Sequence, residues 1–336
     1  MFAPEDIRLV AFDMNAIAYA AAYQPNLAKL EHKGSPTGVI HGAMNSFLSA
    51  AAAYPGALPV VLWDGHAAWR RAHCPGYKAN RSDSPEKIAI KEQVKAQVPA
   101  IQLLLQALGV PQARHPDAEA DDLAGCIARQ AQRAATPTRF ASPDSDWWQG
   151  INELVDWENP RDGTIIDLET IRAVTKMAPP DGWAGPQEYI SAKIIAGDTS
   201  DNIPGIQGAG LPTAAKILRT APRGLDGLLE GDFTAKGVVA DRLRAEEGRE
   251  LVRSNRQIMD WTRAPVHNPN TLALWAYPES ISSAREICAE FGLTRLGARL
   301  QPGMVKGLSQ IVQPAWDVVT TALNWPAQAR DEGEGS

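Results

Sequence analysis

Cysteine is scarce in this chain: Cys74, Cys126 and Cys288 are far apart and odd in number. Such a set builds neither a disulfide framework nor a zinc site, and a reducing cytoplasm suits it. Long apolar runs are missing too. No uninterrupted stretch approaches the roughly 20 residues needed to span a bilayer, so no membrane association is expected. The start, "MFAPEDIRLVAFD", has no basic cluster ahead of an apolar core, and no secretory signal is expected. His66 and His73 lack metal-ligand spacing, and no internal repeat is visible. A basic excess is also absent. With 33 Lys and Arg against 39 Asp and Glu, the net charge is −6, which taken alone argues against a nucleic-acid partner.

What is present reads as an ordinary globular protein. The 336 residues are 44% apolar and 21% charged, enough for one large or two joined domains. "IRLVAFDM" (Ile7 to Met14) and "LPVVLWDG" (Leu58 to Gly65) are short apolar runs, each carrying an aspartate at its end. Strands buried on both faces have this pattern, and helical patterns separate them, so a parallel α/β sheet is expected. "IQLLLQALGV" and "DLAGCIARQAQRAA" read as helices, and "RFASPDSD" as a strand and loop. From about Gln187 helices dominate: "EYISAKIIAG", "LPTAAKILRT" and "DRLRAEEGRELVRSNRQIMD". The expected division is an α/β domain over 1–182, a helical region over 183–325, and a polar, disordered tail over 326–336.

Acids gather where these elements end. Asp13 and Asp64 close two strand-like runs; "DAEADDLAG" supplies Glu119, Asp121 and Asp122; "SPDSDWW" supplies Asp144 and Asp146. "GDTSDNIPGIQGAG" adds Asp198 and Asp201, followed at once by Gly205, Gly208 and Gly210. Singly, each reads as a turn or a helix cap. Jointly they read otherwise. Ligands of an open parallel sheet collect outside the carboxyl ends of its strands, so distant positions can meet there. Nine carboxylates in one cleft need a counter-charge. Oxygen ligands without His or Cys favour Mg²⁺ or Mn²⁺ over zinc.

These residues carry a resemblance. "WDGHAAWRRAHCPGYKANR", "EADDLAG", "SPDSDWWQGI", "AGDTSDNIPGIQGAGLPTAAKIL" and "GSPTGVIHG" occur in the order found in the 5′-nuclease family. That family includes the 5′→3′ exonuclease domain of bacterial DNA polymerase I, the flap endonucleases and the stand-alone phage exonucleases. The chain resembles it over roughly residues 7–260. The resemblance implies a PIN-like α/β core with a parallel sheet and a helical arch, followed by a mostly helical region with a helix–three-turn–helix (SAM-like) motif.

It also implies roles. Asp13, Asp64, Glu119 and Asp121 would hold one divalent ion, with Asp122 close by. Asp144, Asp146, Asp198 and Asp201 would hold or orient a second. Arg70, Lys78 and Arg81 would contact the scissile phosphate from the arch, and spacing of three would put Lys78 and Arg81 on one helical face. Arg71 and Lys193 are weaker candidates for the same phosphate path. Tyr77 reads equally as a base-stacking or a core residue. Trp147 and Trp148 read as packing. Gly205, Gly208, Gly210 and Lys216 would grip duplex backbone without reading bases. Three positions depart from the family: Met14 stands where Gly is usual, Ala20 where Arg is common, and Pro143 where Gly is usual.

The expected activity is therefore a two-metal, Mg²⁺- or Mn²⁺-dependent 5′→3′ exonuclease or flap endonuclease. Its substrate is DNA with a 5′ end or 5′ flap, with RNA–DNA hybrid as a further substrate and replication proteins as candidate partners. No polymerase-length extension is present, so a stand-alone phage-type nuclease of the cytoplasm, acting in replication or primer removal, is expected. The rivals are an RNA-cutting nuclease of the same acid-rich type and a DNA-binding structural protein without catalysis. Two divalent ions would move the net charge from −6 to −2, which weakens the objection from acidity.

Overall fold

The computed structural model describes residues 1–82, 84–175, 185–264, 273–305 and 313–323. Its strands in chain order are β1 (Leu9–Asp13), β2 (Glu31–His32), β3 (Ser35–Pro36), β4 (Leu58–Trp63), β5 (Gln112–Arg114), β6 (Thr138–Ala141), β7 (Val155–Glu158), β8 (Ile165–Ile166) and β9 (Ala273–Trp275). The helices are α1 (Met14–Ala22), α2 (Gly38–Ala53), α3 (Ala68–His73), α4 (Pro85–Ala107), α5 (Ala120–Arg133), α6 (Ile171–Val174), α7 (Pro186–Ala196), α8 (Leu211–Leu218), α9 (Gly224–Glu230), α10 (Val238–Arg244), α11 (Glu246–Met259), α12 (Ile281–Glu290), α13 (Thr294–Arg299) and α14 (Gln313–Leu323).

The chain forms two compact units. One comprises Met1–His66, Ser84–Ile165 and Val266–Ser336; the other comprises Ala67–Asp83 and Ile166–Pro265. This differs from a simple division into 1–182 and 183–325. The reason lies in pairing late in the chain: β9 lies antiparallel on β5, and α14 packs on α5. Both belong to the first unit. The expected tail over 326–336 lies outside the described residues.

In the first unit, every residue of β1 and β4 is buried. That follows from apolar runs covered on both faces. The sheet runs β8-β7-β6-β1-β4-β5-β9. β1 pairs in parallel with β4 and β6, β4 with β5, and β6 with β7. Alternation sends Val10, Phe12, Val61 and Trp63 into one core with Ile17, Met44 and Phe47 from α1 and α2 and Leu104 from α4. Phe12 and Phe47 meet with ring centroids 4.7 Å apart. The opposite alternation leaves Leu9, Ala11, Val60 and Leu62 for α5, which packs along β1, β4, β6 and β7. The start of α2 is held by buried Gln97 of α4, whose Oε1 accepts from Val39 N at 3.0 Å and Ile40 N at 3.2 Å.

The second unit is helical. Ile194, Ile195, Ala214, Leu218, Leu228, Leu243, Val252 and Ile258 are buried. Asn255 of α11 is buried among them, and its Nδ2 donates to the carbonyls of Ile194 at 3.0 Å and Pro204 at 2.8 Å. The single helix expected over "DRLRAEEGRELVRSNRQIMD" is two, α10 and α11. Ala245 between them is extended, with ψ 145°. The acidic pair Glu246–Glu247 then opens α11, where the helix dipole favours negative charge.

Candidate active site

The carboxyl edge of the parallel strands carries the first group of acids. Asp13 ends β1 and caps α1: Oδ1 accepts from Ala16 N at 3.0 Å, and Oδ2 accepts from the Ser142 hydroxyl at 2.8 Å. It is only 4% exposed. Asp64 follows β4 directly, and its Oδ1 accepts from Ala120 N at 2.9 Å. The loop behind it is clasped to the chain ahead of α5. Gly65 N donates to Ala118 O at 2.8 Å, and His66 N to Pro116 O at 2.7 Å. A Cβ on residue 65 would stand 1.9 Å from His115 O, so glycine alone permits the clasp that sets Asp64 against α5.

Glu119 is the N-cap residue of α5, Asp121 sits in its first turn and Asp122 at its third position. Asp122 is buried and accepts from Glu119 N at 2.9 Å. It therefore completes a helix cap, as the local reading of this motif allowed. Asp121 Oδ1 accepts the indole N–H of Trp147 at 2.8 Å. After β6, Asp144 Oδ1 accepts from Asp146 N at 2.9 Å, and Asp144 N donates to Ser142 Oγ at 3.0 Å. Ser142 thus ties Asp13 to Asp144. Trp157 Nε1 donates to Asp144 O at 3.2 Å.

Electrostatics link three of these acids. Burial raises the Asp13 carboxyl from 3.8 to about 7, and repulsion from Asp64 and then Asp144 adds to it; the Ala16 and Ser142 hydrogen bonds oppose the rise without cancelling it. Among the described residues, no three His, Cys, Asp or Glu side chains stand close enough, as placed, to hold a metal ion between them.

Asp198 and Asp201 belong to the second unit and are gathered there with basic residues. Lys193 Nζ lies 2.8 Å from Asp198 Oδ2. Burial would raise the Asp198 carboxyl, but Lys193 and Ser200 outweigh it and hold the carboxyl at about 2. Asp201 accepts from Arg81, and Lys78 Nζ is 3.8 Å from its Oδ2. Three further bonds join the same segments: Lys78 N to Asp201 O at 2.8 Å, Asn80 Nδ2 to Thr199 O at 2.8 Å, and Asn202 Nδ2 to Gly76 O at 2.7 Å. Lys78 itself has φ +56°, so it and Arg81 do not share a helical face. Arg81 lies in a 3₁₀ turn over Ala79–Ser82. The shared target, Asp201, brings the two cations together instead.

Other expected site residues sit differently. Arg70 is 3% exposed, and its Nε donates to Ile258 O at 3.0 Å. That setting pins α3 to α11, and Arg70 is enclosed where Arg71 is exposed. Tyr77 is buried, with Lys78 Nζ 4.9 Å from its ring centroid, as a core residue is. Arg71 is exposed on α3. Trp147 is fully buried against Phe140 with ring centroids 5.1 Å apart, and Trp148 meets Trp157 at 5.6 Å. Packing was expected of both tryptophans. The bond from Trp147 to Asp121 was not foreseen, nor was the Ser142 bridge. Their only sequence signal is position within "ASPDSDWW". Among the departures from the family, Met14, the first residue of α1, is buried in the core.

The glycines of the α7–α8 hairpin divide by role. A Cβ on residue 205 would stand 1.8 Å from Ala196 O, so Gly205 permits the close crossing of the hairpin. Gly208 has φ +85° and is exposed, and Gly210 faces open space ahead of α8. Lys216 is exposed on α8.

Comparison with known proteins matches this architecture. The family described as 5′-3′ exonuclease, N-terminal resolvase-like domain, matches residues 8–176. The chain belongs to this 5′-3′ exonuclease family. It is 32% identical over 314 residues to DNA polymerase I of Chloroflexus aurantiacus, covering 91% of this chain and 31% of that protein. It is 30% identical over 188 residues to a 5′-3′ exonuclease of Aquifex aeolicus, covering 56% of this chain and 61% of that one. The chain therefore spans about a third or less of the DNA polymerase I relatives it first matches. The fold is similar to that of a bacteriophage T5 flap endonuclease, solved as a pseudo-enzyme-product complex with DNA and metal ions. The TM-score is 0.63 at 19% identity, over 94% of this chain and 99% of that one.

Proposed function

We propose that this protein is a divalent-metal-dependent 5′ nuclease that hydrolyses DNA phosphodiesters, as an exonuclease or a 5′-flap endonuclease, in replication or primer removal. One observation carries the reading: in a chain of the 5′-3′ exonuclease family, Asp13, Asp64 and Asp144 lie close enough at one sheet edge to oppose ionisation of Asp13. Carboxylates placed to repel one another are costly unless a cation offsets them. The donors are all oxygen, which fits Mg²⁺ or Mn²⁺. In this reading Asp13, Asp64, Glu119 and Asp121 would hold one ion, and Asp144 and Asp146 would belong to a second; Asp198 and Asp201 are assigned to the second through the resemblance alone. Bound ions of this kind activate water and offset charge on the leaving oxygen.

The protein's own groups do the remaining work. Ser142 and Ala16 N orient the Asp13 carboxylate, and Trp147 orients Asp121. Lys78 and Arg81, held as a pair by Asp201, are the cations assigned to the scissile phosphate. Exposed Gly208, Gly210 and Lys216 are assigned to the backbone of duplex DNA, which carries no base information.

The test compares substrates with a labelled 5′ end in Mg²⁺: 5′ flap, 3′ flap, blunt duplex, single strand and RNA–DNA hybrid. Faster cleavage of the 5′ flap than of the 3′ flap or single strand is expected. Equal rates on both flaps would remove the polarity, and activity confined to RNA would favour an RNA-cutting nuclease.

A further inference from the structure

Ala67–Asp83, the segment that carries Lys78 and Arg81, belongs to the same compact unit as Ile166–Pro265. It is fastened there at two places. Arg70 Nε donates to Ile258 O and holds α3 on α11. Residues 76–80 are joined to the loop over 198–202 by three bonds. Lys78 N donates to Asp201 O at 2.8 Å, Asn80 Nδ2 to Thr199 O at 2.8 Å, and Asn202 Nδ2 to Gly76 O at 2.7 Å. Two of the three come from asparagine amides, one from each side, and both end on backbone carbonyls. The fit is close: a Cβ on Gly76 would stand 3.0 Å from Asn202 Nδ2. Lys78 and Asn202 both have φ +56°, a left-handed conformation that Asn accepts more readily than Lys does. The joint thus holds the Lys78 backbone where that residue's own preference would not.

The loop on the other side of the joint runs straight into the α7–α8 hairpin. Asp198 and Ile203 close it with paired backbone bonds of 2.9 and 2.7 Å, and Asp198 Oδ1 accepts from Ser200 N at 2.8 Å inside it. The next residue, Pro204, has its carbonyl held by buried Asn255 of α11 at 2.8 Å. Ile206 N then donates to Ile195 O at 2.9 Å, where Gly205 crosses α7. An unbroken series of backbone attachments therefore runs from the hairpin to Lys78 and Arg81. The ion pairs alone would not do this. Lys78 Nζ is 3.8 Å from Asp201 Oδ2, and both cations end long side chains, so their reach is set by where the backbone is fixed.

We infer that Asn80 and Asn202 are positioning residues that fix Lys78 and Arg81 at a set distance from the α7–α8 hairpin, and thereby set which phosphodiester is cut. The inference rests on the reading of this chain as a 5′ nuclease that holds duplex with that hairpin and the scissile phosphate with those cations. The asparagines act through the cations and not on the DNA. Releasing either amide lets residues 76–82 shift against the hairpin, so the cations meet neighbouring phosphates as well as the correct one. Misplacement by about 1 Å can cost on the order of 10² in rate.

The experiment maps the first cut in a 5′-labelled flap at nucleotide resolution, under single turnover with saturating enzyme in Mg²⁺, and measures duplex affinity in Ca²⁺. Proteins are wild type, Asn80→Ala, Asn202→Gly, the double variant, and the double variant combined with Lys78→Ala. Glycine keeps the left-handed backbone at residue 202 and removes only the amide. Asn202 is exposed and Asn80 half-buried, and the position of the cut does not depend on how much protein is folded. In the double variant, cuts should spread to neighbouring phosphodiesters and the rate should fall roughly tenfold, with duplex affinity unchanged. In the Lys78→Ala background the same two substitutions should lower the rate far less, since residues acting through one group are not additive. An unchanged cut position, at any rate or affinity, overturns this inference alone, because the amides then only hold the loop's fold. A shifted cut with weakened duplex binding also overturns it, because the hairpin has then moved instead. An undiminished effect without Lys78 does the same. Wild-type protein that cuts no DNA overturns the nuclease reading and this inference together.

Discussion

Replacing Asp13 with Asn should stabilise the metal-free protein at neutral and alkaline pH. Asp13 is buried, and its carboxyl is raised from 3.8 to about 7 by that burial and by Asp64 and Asp144. A carboxyl raised on folding favours the folded state below its unfolded value, and that stability is lost as pH rises through the folded value. A rise of about three units corresponds to about 4 kcal/mol in full, of which about 3 kcal/mol is lost between pH 5 and pH 8. Asn cannot ionise. Its Oδ1 still accepts from Ala16 N, and its Nδ2 takes the place of the oxygen bonded to Ser142. The assay is urea unfolding of wild type and Asp13→Asn in EDTA at pH 5 and pH 8. The variant's advantage over wild type should be small at pH 5 and grow by about 2–3 kcal/mol at pH 8. Added Mg²⁺ should then stabilise wild type more than the variant, since ligand binding to the native state shifts unfolding by mass action. An advantage independent of pH, or a variant less stable at pH 8, would refute the argument that burial and its neighbours' charge together oppose ionisation of Asp13.

Three further outcomes follow from the contacts. Trp147→Phe keeps an aromatic ring against Phe140 but removes the N–H bonded to Asp121; the apparent Mg²⁺ affinity in cleavage should weaken by roughly tenfold to a hundredfold, read from rates across a Mg²⁺ series. Lys78→Ala should lower the single-turnover rate on the order of 10²–10³, while duplex affinity in Ca²⁺ changes far less. Gly205→Ala brings a Cβ within 1.8 Å of Ala196 O; a loss at or above the upper end of roughly 1–3 kcal/mol is expected, seen as earlier melting and faster proteolysis of the second unit.

Much of the first unit could be read from the chain. Period-free apolar runs ending in aspartate mark β1 and β4 because strands buried on both faces cannot alternate. The acids at those ends were legible for the same reason, since the sheet fixes where a strand stops. What was not legible depends on contacts between distant segments. β9 is a three-residue strand whose identity comes from pairing with β5. Trp147 looked like packing because an indole's N–H has no sequence signal for its acceptor. The burial of Arg70 was not legible because nothing in "WRRAH" says that one arginine is enclosed and the next exposed. Spacing alone suggested a helical face for Lys78 and Arg81, and the positive φ at Lys78 shows that the loop over residues 198–202 decides that backbone instead.

The central claim is that the sheet-edge carboxylates hold the divalent ions on which DNA cleavage depends. Its most direct test is cleavage of a 5′-labelled flap in Mg²⁺ by Asp64→Ala and Asp121→Ala, beside duplex binding by the same proteins in Ca²⁺. The account predicts that both variants lose cleavage while binding stays measurable, because the hairpin of the second unit is a separate element. Near-normal cleavage by either variant, with its fold intact by circular dichroism, would contradict the assignment.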